Sequence, residues 1–343
     1  MIESLNPIRQ ERGRERALIE GAVAMARPLL QDSHLLEGST GTIEAADVEK
    51  VKDILQRVFP VDVNNYRTHA HLQLSARFGQ IFSERIGLNS AEIQVLMLGH
   101  DVGRFITHRW LRNELVAAHA LNELGVRKDL LKKAPINDSR PPEDVSDAAV
   151  KTYFDNMGTE QRIVTIADIC GKRNFDDWGI RTFDEVMQYH RRQRAGEGVV
   201  AMQNTTASFP SERRISNEMI EFTAILYDLI RQWLNDEGVD VEEVRRMIIE
   251  EEKSTPVNTV ILDTPSPTTS TATPLAQASG VHKYDVVNIN ELDMGNVDAK
   301  VALGCILTRL DSSPHSCVLV SDNKERLAGA KSLGVGVSFD QSI

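Results

Sequence analysis

Apolar residues recur at helical spacing in run after run between about Glu44 and Glu252, and several of the runs end at a proline or glycine. From Glu44 to Phe59, Ala45, Val48, Val51, Ile54, Leu55 and Val58 fall three or four apart, and Pro60 stops the pattern. The next run starts near Tyr66, carries Leu72, Leu74, Phe78, Ile81 and Ile86, and halts at Gly87. Asn89 with Glu92 three residues on has capping-box spacing and opens a third helix, which terminates around His100 to Gly103. Further helices are predicted over Leu111 to Leu124, Val145 to Tyr153, Thr159 to Cys170, Glu212 to Leu234 and Val241 to Glu252, with Gly196 to Pro210 as a loop. Aromatic residues make up only 5% of the chain, so these helices must pack through Leu, Ile, Val, Ala and Met.

Past Lys253 the pattern changes. The stretch to Gly280 is rich in Ser, Thr and Pro, densest at Thr264-Pro265-Ser266-Pro267, and offers too little apolar area to offset the entropy of ordering it. Beyond it, Cys317-Val318-Leu319-Val320 has a buried-strand pattern, Lys324 to Leu333 a helical one, and Gly334-Val335-Gly336-Val337 restarts a strand. The expectation is a mostly α protein: a helical bundle over 1–252, a linker over 253–280, and a small α/β unit with a parallel sheet over 281–343. So short a unit needs a partner surface, either the helical domain or a second copy, which leaves a homo-oligomer open.

With 343 residues and a formal net charge of −11, the chain has no generic attraction for nucleic acid or for an anionic membrane. Met1 to Arg16 lacks a continuous apolar core of signal-peptide length, and no run approaches membrane-spanning length, so a cytoplasmic location is expected. The three cysteines, Cys170, Cys305 and Cys317, form no CxxC pair and read as small buried hydrophobes.

Four polar residues stand out against these apolar helices: His71, the adjacent pair His100-Asp101, and Asp168. An unpaired polar group on such a surface costs roughly 1–3 kcal/mol, and one shared divalent ion accounts for all four. Mixed imidazole and carboxylate ligands suit Mn, Fe, Zn, Mg, Co or Ni. Arg104, Lys172 and Arg173 lie close in sequence to these ligands and are candidates to bind phosphate, with a solvated basic face weighing equally for Lys172 and Arg173.

The segments His71-Leu72-Gln73-Leu74-Ser75-Ala76-Arg77, Leu98-Gly99-His100-Asp101-Val102-Gly103-Arg104 and Ile163-Val164-Thr165-Ile166-Ala167-Asp168 resemble the HD superfamily of metal-dependent phosphohydrolases over about residues 45–250. That resemblance implies an HD-type helical core and a metal held by His71, His100, Asp101 and Asp168. It also implies a metal-activated water that cleaves a phosphate ester or phosphodiester of a small molecule or nucleotide, with Asp101 as its catalytic partner. His108 and Glu114 stand near positions that binuclear relatives use for a second ion. The alternative is a catalytically weak module that senses a nucleotide or metal and docks a protein through its tail. Cys317 to Asn323 with Ala330 to Val335 resembles the last strand-helix-strand of the haloacid dehalogenase-like fold, with Asp322 at an acidic metal position. Val260-Ile261-Leu262-Asp263 reads as an apolar strand ending in an aspartate, but no second aspartate follows it, which implies a degenerate copy.

Overall fold

The computed structural model describes residues 42–107, 146–192, 217–263, 285–288, 297–321 and 323–339. Within these the protein is mostly helical with a small C-terminal parallel sheet, and it divides into two compact units. The predicted helix over Leu111 to Leu124, His108, Glu114 and Asp322 lie outside the described residues.

The first unit contains α1 (Ala45–Val58), most of α2 (Tyr66–Ile86), α3 (Ser90–Gly99), α4 (Gly103–Thr107), α5 (Asp147–Asn156), α6 (Thr159–Cys170), α7 (Phe183–Arg192) and α8 (Asn217–Asp236). Starts and stops follow the local chemistry. The Asn89 side chain accepts from the amides of Ala91 and Glu92 at the head of α3, and the Ser146 hydroxyl accepts from Ala149 at the head of α5. Gly87, with φ +82°, ends α2 in a left-handed conformation that a glycine adopts without penalty.

Burial on α2, α3 and α6 is nearly all-round, as expected of helices at the centre of a bundle. Ile93, Val95, Leu96 and Met97 on α3 are fully enclosed, as are Leu72, Phe78 and Phe82 on α2 and Ile163, Val164 and Ile166 on α6. The backbones of α2 and α6 come very close at Gly171. A Cβ there would sit 1.9 Å from Ser75 Oγ and 2.8 Å from Ser75 Cα, so only glycine permits the approach. Arg162, partly buried, lies 4.1 Å from the Phe154 ring centroid and 5.1 Å from that of Trp233, and donates to the Phe154 carbonyl near the end of α5.

The second unit is built differently from the expected 281–343 tail. It joins residues 60–71 and 172–181 to the described residues from Glu243 onward. The helix α9 (Val241–Ser254) runs past the expected linker start, and β1 (Thr259–Asp263) is a strand inside the expected linker. The sheet order is β2 (Asp285–Asn288), β1, β3 (Cys317–Ser321), β4 (Gly336–Phe339), all parallel, with Ile261 opposite Val287 on one side and Leu319 on the other. A central parallel strand is covered on both faces, which explains why Val260 and Ile261 are apolar beside a Ser/Thr/Pro tract.

Borrowing answers the size problem. Tyr66 and Ala70 from α2 and Trp178 from the 172–181 segment join Leu303, Ile306 and Leu307 of α10 (Ala299–Arg309), Leu319 of β3, and Ala330 of α11 (Lys324–Ser332) in one apolar core. Trp178 adopts φ +62° in a turn closed by Asn174 N–H to the Gly179 carbonyl and Arg181 N–H to the Lys172 carbonyl. Cys305 and Cys317 are buried thiols as expected. Burial, with Asp62 nearby, pushes Cys305 up to about 12, and burial raises Cys317 as well. Asp263, at the end of β1, is buried, accepts from the Ser321 hydroxyl at 2.5 Å and pairs with Arg326. Among the described residues no helix is long and apolar enough to cross a membrane.

Candidate metal centre

Three of the four expected ligands converge. His71, His100 and Asp168 each offer a ligand atom, and these atoms lie within 4.8 Å of one another. Two ligands about 2.1 Å from a shared ion sit up to about 4.2 Å apart, so only a small contraction closes the set. The local folding is direct: His71 lies in α2, His100 caps α3, and Asp168 sits two residues before the end of α6.

On His100, Nδ1 lies 2.6 Å from the Met97 carbonyl one turn back, which requires a proton on Nδ1 and directs Nε2 into the centre. Ligating histidines use such a carbonyl contact to fix ring orientation. His71 Nε2 lies 3.1 Å from Lys172 Nζ, and because an ammonium only donates, this nitrogen carries a lone pair.

His100 Nε2 faces both carboxylates, Asp168 Oδ1 at 3.4 Å and Asp101 Oδ2 at 3.6 Å. Burial opposes charge on this ring, but Asp101, Asp168 and the Met97 carbonyl outweigh it and hold the imidazole above its ordinary 6.5. Asp101, the fourth expected ligand, is buried beside His100 at the edge of the cluster. Its Oδ2 pairs with Arg104 at 2.8 Å, out of hydrogen-bond alignment.

The three candidate phosphate ligands meet different fates. Arg104 reaches Asp101 from an exposed position. Lys172 contacts His71 directly. Arg173 is held by Glu252, donates to the Trp178 carbonyl at 3.0 Å and lies over the Trp178 ring, so it serves the turn that shapes the second unit. Its partner is 79 residues away in sequence, and no local signal announces it. His69, two residues before His71, is buried and stands outside the cluster.

The donor set fits a divalent ion: two imidazole nitrogens and one carboxylate, with a second carboxylate adjoining. Nitrogen and oxygen donors in this proportion suit borderline and first-row divalent metals. No protein-family model, curated protein or solved structure matches the chain.

Proposed function

We propose that the chain is a metal-dependent phosphohydrolase of the HD type, acting on a phosphate ester or phosphodiester of a small molecule or nucleotide. The observation that carries this reading is the convergence of ligand atoms from His71, His100 and Asp168 within 4.8 Å of one another. A divalent ion at that point would supply an acidified water as nucleophile and a positive charge against the phosphoryl oxygens.

The chain's own residues do the rest. His71, His100 and Asp168 hold the ion, and Met97 fixes the His100 ring so that its lone pair need not be reoriented on loading. Asp101, buried next to His100, is placed to accept the proton that the nucleophile gives up. Arg104 pairs with the Asp101 carboxylate and adds positive charge beside the centre of an otherwise acidic protein.

The Arg104–Asp101 pair also supports a second reading, in which the acid stays engaged and the centre binds a phosphorylated ligand without turning it over. One experiment addresses both. Protein prepared with Mn²⁺, Fe²⁺ or Zn²⁺ should bind close to one ion per chain, Asp168→Ala should lower metal affinity at least about a hundredfold, and wild type should hydrolyse members of a phosphate-ester and nucleotide panel. Metal and ligand binding with no hydrolysis across the panel would favour the sensor, and failure to bind any of the metals would overturn both.

A further inference from the structure

We infer that Lys172 is a built-in counter-cation of the centre, occupying the His71 lone pair until a divalent ion claims it and then serving as a tethered anchor for the phosphoryl group. This deepens the metal-centre reading and rests on it.

The argument starts from one nitrogen. His71 Nε2 has a single lone pair, and the Lys172 ammonium sits on it at 3.1 Å. Two cations cannot share that lone pair, so Lys172 must leave it for His71 to ligate through Nε2. Position then limits where the lysine can go. Lys172 follows Gly171, the C-cap of α6, and lies one helical turn beyond Asp168.

Its backbone is fixed on the other side as well. The Lys172 carbonyl accepts from Arg181 N–H at 3.0 Å, and the next residue, Arg173, is clamped by Glu252. With the main chain pinned, only the side chain can swing, and its four carbons keep the ammonium in the neighbourhood of the cluster. A displaced ammonium there, half-buried and next to a bound cation, is repelled by the ion and attracted by any anion the ion holds. A phosphoryl oxygen meets both demands, since lysine binds phosphate as a compact point charge.

The same side chain therefore acts with opposite signs on two ligands, competing with metal and cooperating with phosphate. A residue that only braced the fold would weaken both. In full-length protein, calorimetric titration with Mn²⁺ alone should show Lys172→Met binding about tenfold more tightly than wild type, the effect of removing a charge-assisted contact. Titrating the Mn²⁺-loaded proteins with inorganic phosphate should then show Lys172→Met about tenfold weaker, with Lys172→Arg within about threefold of wild type. Lys172→Gln provides the same comparison if the methionine variant fails to fold. Unchanged or weaker Mn²⁺ affinity in the charge-removing variants overturns the competition, and unchanged phosphate affinity overturns the anchor, both with the centre intact. Wild type that binds no Mn²⁺ overturns the centre itself, and this inference falls with it.

Discussion

The His100 ring shows how a small pocket sets its own chemistry. Burial alone would keep it neutral, yet two carboxylates against one nitrogen and a carbonyl against the other reverse the balance, so its folded-state pKa exceeds the unfolded value. The linkage sign follows. In protein stripped of metal, the stabilisation from His100 is complete below pH 6.5 and fades as pH rises through the raised value. Urea unfolding in a chelating buffer should show this as a loss of stability as pH rises from 6.5, and Asp168→Asn should flatten the slope; a slope identical in the two proteins would contradict the assignment. These residues were legible in the sequence because each is a polar group on an apolar helix. The Lys172–His71 contact was not, since it joins residues 101 apart and only the folded chain reveals it.

At the level of elements, the contact between α2 and α6 controls whether the ligands meet. Gly171 allows these helices to approach so closely that an added methyl group would strike Ser75 main chain as well as its hydroxyl. Gly171→Ala should cost about 2 kcal/mol or more in thermal or urea unfolding and should weaken Mn²⁺ binding, since His71 and Asp168 ride on the two helices being pushed apart. Wild-type stability with wild-type metal affinity would show that the approach is not needed. The cap at Ser146 was passed over, but Asn89 and Gly87 mark ends by chemistry that acts within a few residues, and most of these helices were readable from period. The helix α10 was not, because Ala302 through Thr308 are buried on every side and an all-round apolar run has no amphipathic period. Strand β1 was legible as an apolar strand but was placed within the linker, because its partners lie far along the chain.

For the molecule as a whole, the boundary between units does not follow the chain. The second unit draws Tyr66, Ala70 and Trp178 from two segments that interrupt the first in sequence, so its core is complete only with them. Removing residues 256–343 should therefore leave an apolar surface around Trp178 where the buried sheet and α10 had been. Such a truncated protein should aggregate or show red-shifted tryptophan emission and a lower melting temperature; a soluble monomer with native emission would show that the tail is dispensable. A division of this kind escapes a reading that looks for composition shifts, because nothing in Pro60–His71 or Lys172–Arg181 marks those residues as belonging with a distant sheet. The strand order adds a problem of timing during synthesis. Strand β1 leaves the ribosome first yet takes the middle of the sheet, so the nascent polypeptide carries a naked apolar ribbon until both flanking strands have been made. A Ser/Thr/Pro stretch directly behind it is well suited to that interval, since proline and polar side chains discourage a neighbouring ribbon from zipping onto the waiting edge.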